Sequence, residues 1–225
     1  METNTQKFNI ALGLAVIIVI GLVLYFATKG IRTNQLPAEV ILHVPFSTQA
    51  PSDNWNRNED CEETSITMAN SFLSGNNSNE LTPDEAQKAI NNLKIWEQAN
   101  LGYNKDTGAD ATVKLAEGAF AIKTKEILNF TEGDLKKELA NNHPILLPIN
   151  GKLLKGQQYR NEGPTYHMIV LRGYHNGKFI LNDPGTNAGN GNEFSFTALH
   201  DAAADWNNAS KSMDPNRKIA IALWK

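Results

Sequence analysis

"HMIVLRGYHNGKFILND" runs from His167 to Asp183, and its reading decides what kind of sheet the chain can build. Two runs rich in β-branched and aromatic residues meet at Asn176-Gly177, a dipeptide that tolerates left-handed backbone and so predicts a β-hairpin. The loop length then sets every side chain's face. A two-residue loop pairs His175 with Lys178 and turns Asp183 to the face opposite His167. A three-residue loop pairs Tyr174 with Lys178, gives Gly177 the left-handed position, and sets Asp183 opposite Ile169. Asp183 then shares the face of His167, one diagonal step away, over a bed of Ile169, Leu171, Phe179 and Leu181. The three-residue loop is the expected one.

Outward from the hairpin, "PILLPI" (Pro144 to Ile149) and the closing "RKIAIALWK" (Arg217 to Lys225) read as further strands. The earlier half of the chain reads as helices. "LTPDEA" announces one, with Thr82 as cap, Pro83 in the first turn and Glu85 completing a capping box, running to about Gln98. A short helix follows Asp110, and another spans Thr131 to about Asn142, where His143-Pro144 breaks it. Asn-rich patches at residues 74–80 and 187–193 read as loops. Helices first and strands afterwards predict an α+β domain rather than alternating βαβ units.

The one cysteine of the chain, Cys61, lies in "NEDCEETSITMA" (Asn58 to Ala69). Asp60-x-x-Glu63 resembles a capping box, and Ile66, Ala69, Phe72 and Leu73 recur at helical spacing behind it. The thiol therefore sits at a helix start, where outward-pointing amides and the positive dipole end lower a thiol pKa. Such a thiol needs a base. Of five histidines, His43, His143, His175 and His200 read as structural or solvated. His167 opens an apolar strand and is placed to face a cleft. Asp183 is the group that could orient it. Gln49, in "HVPFSTQAP" ahead of the thiol helix, could donate to an oxyanion beside the Cys61 N–H, or could be an ordinary loop glutamine.

Three ordered motifs, "VPFSTQAPSDNW…CEETS", "GPTYHMIVLRGY" and "FILNDPGT", together resemble the papain-like bacterial family of bacteriocin double-glycine leader peptidases. The likeness is greatest to its stand-alone peptidase family thirty-nine-like domains. It covers nearly all of residues 38–225. It implies a papain-like α+β fold and a cysteine peptidase in which Gln49, Cys61, His167 and Asp183 are the oxyanion donor and catalytic triad, with a peptide or protein as substrate. Two departures stand out. No P-loop pattern G-x-x-x-x-G-K-[ST] is present, so the nucleotide-driven transport of some relatives is not implied. Glu62 and Glu63 stand where many members have Gly-Pro, and charges so close to the sulfur oppose thiolate formation.

The 225 residues carry a net charge of −3, with 41% hydrophobic and 20% charged residues, which gives no bias toward nucleic acid. A single cysteine excludes an internal disulfide, and no histidine pair lies at metal-ligand spacing, so neither a metal nor an organic cofactor is expected. The amino terminus differs in kind: residues 8–28 are uncharged and almost wholly apolar. About 20 such residues span a bilayer, and the run exceeds a signal peptide's apolar core. The expected organisation is a short tail (1–7), a transmembrane anchor through the lipid bilayer (8–28), a tether (29–37) and a peptidase domain (38–225). Lys7 on one side against Lys29 and Arg32 on the other leans by one charge toward a cytoplasmic domain. We expect a single-pass membrane protein with its domain extracytoplasmic, an orientation these charges do not fix. A catalytically silent, membrane-tethered binding module on the same fold and a murein-acting amidase or transpeptidase remain as alternative functions.

Overall fold

In the computed structural model the described residues are 17, 18, 20 and 35–225, apart from 54, 56–58, 104, 160 and 161. The apolar segment 8–28 lies outside the described residues except for Ile17, Ile18 and Ile20, which are helical, and so do the tail and most of the tether. Among the described residues no helix is long and apolar enough to cross a membrane. Residues Pro37–Lys225 form one unit by their contacts.

That unit is organised around one antiparallel sheet. Strands β1 (Val40–Ile41), β2 (Lys123–Leu128), β3 (Ile145–Ile149), β4 (His167–His175), β5 (Lys178–Asn182), β6 (Asn190–Ser195) and β9 (Ile219–Trp224) take the order β2-β9-β3-β4-β5-β6, with β1 also paired to β4. Strand β4 is central: Ile149 pairs with His167 at one end and Val40 with Tyr174 at the other. Strands β3, β4 and β9 are buried almost throughout, which is why they read as apolar runs rather than alternating ones. A two-stranded ribbon, β7 (Asp205–Asn207) with β8 (Ser212–Asp214), stands apart.

Helices α1 (Cys61–Leu73), α2 (Pro83–Asn100), α3 (Ala109–Phe120), α4 (Glu132–Ala140) and α5 (Phe196–Ala202) complete the domain. Thr82 and Thr131 each form a full capping box, with Glu85 and Asp134. Gly118 of α3 is obligatory for a different reason: a Cβ there would come within 2.1 Å of the Trp96 ring on α2. Helix α1 packs on β4, and the Ser65 hydroxyl donates to the Met168 carbonyl at 3.2 Å.

Four expectations need correction. Asn190–Glu193, read as part of an Asn-rich loop, belong to β6 and pair with β5. The earlier half is not all helical, because "KTKEIL" forms β2 along β9, from Lys123 opposite Trp224 to Leu128 opposite Ile219. Its side chains are mostly exposed, as expected of an edge strand, so it lacks the apolar signal of β3. The Asp60 capping box does not form: Asp60 makes no side-chain cap bond, and its Oδ1 takes the Lys94 ammonium at 2.5 Å. The hairpin loop has two residues, not three. His175 pairs with Lys178, and Asn176 and Gly177 both adopt positive φ (47° and 74°). The extra residue appears further down, as a bulge between Leu171 and Gly173, after which Leu171 faces Leu181 and Val170 faces Asn182. That shift restores the pairing register that places Asp183 on the face of His167.

Candidate active site

The mouth of β4 is built from the sheet. His167 and Asp183 are 1% and 0% exposed, and His167 Nε2 lies 2.6 Å from Asp183 Oδ1. With the carboxylate as acceptor, Nε2 carries the hydrogen and Nδ1 is left as the basic nitrogen of the ring. Asp183 has two further donors: the Gly185 N–H to Oδ1 at 2.8 Å and the Tyr159 hydroxyl to Oδ2 at 2.6 Å. The turn that follows is closed by the Asp183 N–H donating to the Gly189 carbonyl at 2.9 Å. Glycine is required at both positions by proximity. A Cβ on Gly185 would lie 2.9 Å from the His167 ring, and one on Gly189 would lie 1.9 Å from the Asp183 carbonyl.

Gln49 arrives beside this turn. The segment that carries it is pinned at Leu42, whose N–H donates to Arg172 O at 2.7 Å, and at Val44, whose carbonyl accepts from Asn182 Nδ2 at 2.9 Å. Its last tie is the Gln49 N–H itself, donating to Pro184 O at 2.9 Å. The side chain is 6% exposed, and its Oε1 has no hydrogen-bond partner.

Cys61, 3% exposed, opens α1. Ser65 is one turn further along and so shares its helix face; its bond to Met168 turns that face toward the start of β4. The sulfur's charge is felt by Tyr159 and Tyr166, whose phenols are pushed upward chiefly by burial and in part by Cys61. Tyr159 in turn stands edge-on to the His167 ring, centroids 5.6 Å apart. Thiol and imidazole thus share Tyr159 as a neighbour. The thiol hydrogen itself goes elsewhere: Sγ donates to Glu62 Oε2 at 3.0 Å. Burial first, then the Glu62 charge and this bond, push the Cys61 thiol well above its usual pKa.

Behind the sulfur lies a set of buried acids. Glu62 Oε1 accepts from the Thr107 N–H (2.6 Å) and hydroxyl (3.2 Å). Glu63 lies close enough to Glu97 of α2 for the two carboxyls to influence each other, and neither Glu97 oxygen has a hydrogen-bond partner. Burial raises both, Glu97 to about 7, so the pair holds a proton near neutrality. Among the described residues no group of three or more His, Cys, Asp or Glu side chains is placed to hold a metal ion.

Sequence reasoning missed Tyr159 and the direction of Glu62. Tyr159 belongs to the long connection between β3 and β4, and such length without secondary structure of its own is itself a functional signal. Glu62 is the residue after the thiol, but only the fold of the Thr107 loop fixes where its carboxylate turns.

Over residues 41–213 the sequence matches the family described as Peptidase_C39 like family. The chain belongs to this family. Its C39-like fold is shared with a crystal structure from Bacillus anthracis described as a C39-like peptidase, at 17% identity and a TM-score of 0.53, over 84% of this chain and 98% of that one. Similarity extends more weakly to the cysteine protease CMS1MS2 of Carica candamarcensis (14% identity, TM-score 0.42, 84% and 99% covered). Procathepsin L 3 of Tenebrio molitor larval midgut is a further neighbour (11% identity, TM-score 0.41, 86% and 72% covered). No curated protein matches the sequence significantly. Within this C39-like domain, the mixture of helices and antiparallel sheet agrees with the α+β expectation.

Proposed function

We propose that the protein is a membrane-anchored cysteine peptidase hydrolysing peptide bonds through Cys61, His167 and Asp183, with Gln49 as oxyanion donor. The observation that carries this reading is the His167–Asp183 pair, buried at 2.6 Å with Nδ1 as the remaining ring nitrogen, on a strand against which the thiol helix packs. His167 Nδ1 takes the Cys61 proton, and the thiolate adds to the substrate carbonyl. The imidazolium then protonates the leaving amine, and Asp183 holds the ring in the required tautomer. Water releases the acyl group by the same steps in reverse roles.

Oxyanion stabilisation falls to the Gln49 amide and the Cys61 N–H. Support for the second comes from the helix start: Asp60 makes no side-chain cap bond to the first amides of α1, which have no acceptor within the helix. The uncharged run 8–28 supports the bilayer anchor, and we place the peptidase domain outside the cytoplasm. External protease added to intact cells should remove the domain; full protection would reverse that orientation.

A catalytically silent binding module is favoured by one observation, the bond of the Cys61 thiol to Glu62. A thiol-directed probe applied to wild type, Cys61→Ala and His167→Ala separates the readings. Peptidase chemistry requires labelling that vanishes without Cys61 and slows at least tenfold without His167, together with turnover of a peptide library. Labelling indifferent to His167, with no turnover, leaves the silent module.

A further inference from the structure

The mechanism above leaves unused the carboxylate nearest to its nucleophile. Glu62 is buried, and both of its oxygens are held: Oε2 by the thiol at 3.0 Å, Oε1 by the Thr107 N–H and hydroxyl. Since Thr107 grips one oxygen from a separate loop, the other cannot swing away from the sulfur. Resting on the cysteine-peptidase reading, we propose that Glu62 is a further catalytic residue: ionised, it keeps Cys61 a thiol; protonated, it donates to the thiolate and permits attack.

The surroundings decide why the proton on Glu62 matters. A thiolate beside an ionised Glu62 would set two anions about 3 Å apart out of water, where nothing screens them. Neighbouring elements add further negative groups: Asp60 just ahead of α1, Glu63 on it, Glu97 from α2, Asp106 ahead of α3 and Asp205 from β7. The phenols of Tyr103, Tyr159 and Tyr166 also feel these acids or the sulfur. Of the cations, Lys94 is held on Asp60, Lys105 and Lys211 act on Asp106, Arg217 is bound to Asp205 and Asp110, and the His167 imidazole comes from β4. Burial outweighs the bonds from Cys61 and Thr107 and lifts the Glu62 carboxyl above its ordinary range.

The working site carries two protons, one taken by Glu62 from solvent and the former thiol proton on His167 Nδ1. Raising the pH removes one; the other returns to sulfur, whose hydrogen bond to ionised Glu62 is the arrangement described above. The site is therefore acid-active. In a Glu62→Gln variant the amide carbonyl can accept the Thr107 donors while the amide nitrogen faces sulfur as a permanently neutral donor.

The test is the pH dependence of Cys61 alkylation by iodoacetamide, measured on the full chain in detergent. Wild type should react on an acidic plateau, slow as Glu62 ionises, and speed up again only where the thiol itself ionises. Glu62→Gln should hold its plateau past neutrality and react at least tenfold faster than wild type at pH 7.5. Equal or slower reaction of the variant at that pH overturns the proposal. Should the variant fail to fold by circular dichroism, the wild-type curve decides alone, because a single rise with pH, as for a simple thiol, also overturns it. A His167→Ala change in both backgrounds keeps the two readings apart. Rates that ignore His167 but respond to Glu62 remove the peptidase reading, and rates that respond to His167 but ignore Glu62 remove this one.

Discussion

The sheet and helix sides of the site treat buried carboxylates in opposite ways. On the sheet side Asp183 meets three donors, the His167 ring, the Gly185 amide and the Tyr159 hydroxyl. On the helix side Glu63 and Glu97 influence each other's charge, and Glu63 Oε2 and both Glu97 oxygens lack any donor. A buried anion surrounded by donors keeps its charge, whereas a buried pair of acids keeps a proton instead. One side of the candidate nucleophile thus supplies a carboxylate, ringed by donors, to orient an imidazole. The other supplies carboxyl groups whose charge depends on pH.

That contrast can be broken from the sheet side first. Asp183→Asn should lower kcat/KM by about 10³-fold, since an amide no longer fixes the imidazole tautomer. A loss under tenfold in a peptide-hydrolysis assay would mean that Asp183 orients nothing. Tyr159→Phe keeps the ring edge on His167 and removes one donor from Asp183, so kcat/KM should fall about tenfold, in line with a net hydrogen bond to a charged group. The melting temperature should stay within a few degrees; a large drop would make Tyr159 a structural residue.

The helix side predicts a stability effect. Folding raises the Glu97 carboxyl from 4.5 to about 7, so the folded protein keeps a proton that the unfolded chain releases across that window. Stability should fall as pH rises from 4.5 to about 7 and stay low above it. Glu97→Gln should flatten that slope, leaving the part due to Glu63, and stabilise the protein at pH 8 by about 3 kcal/mol, read by urea unfolding at pH 5 and pH 8. An unchanged slope would show that the pair does not hold its proton. The smallest effect concerns the helix starts. Thr82→Ala, which removes one half of an exposed capping box, should cost about 1 kcal/mol with activity intact. The uncapped α1 start offers no equivalent site.

How far this contrast could be read in advance follows from where each signal resides. Thr82, Pro83 and Glu85 act within one turn of each other, so the α2 start was legible in its own residues. The apolar runs of β3 and β9 told of burial, while the polar edge strand β2 carried no such pattern. In the hairpin, Asn176-Gly177 announced the turn, but the bulge at Arg172 depends on β1, whose Val40 carbonyl would lie 2.3 Å from a Cβ on Gly173. The candidate residues Cys61, His167 and Asp183 stood out because each lies at or next to the end of an element, whereas Gln49 lies in the loop between β1 and α1. Tyr159 and the grip of Thr107 on Glu62 come from loops, whose paths are set by the assembled domain.

Strand β4 also separates the amino end of the domain from the site. Val40 pairs with Tyr174, and the Tyr174 hydroxyl donates to Pro37 O at 2.9 Å, whereas His167 occupies the opposite end of the same strand. At roughly 3.3 Å per residue these two ends are about 23 Å apart. A purification handle, a bead or a sensor chip that grips the domain at Pro37 therefore takes hold at the end of β4 away from His167.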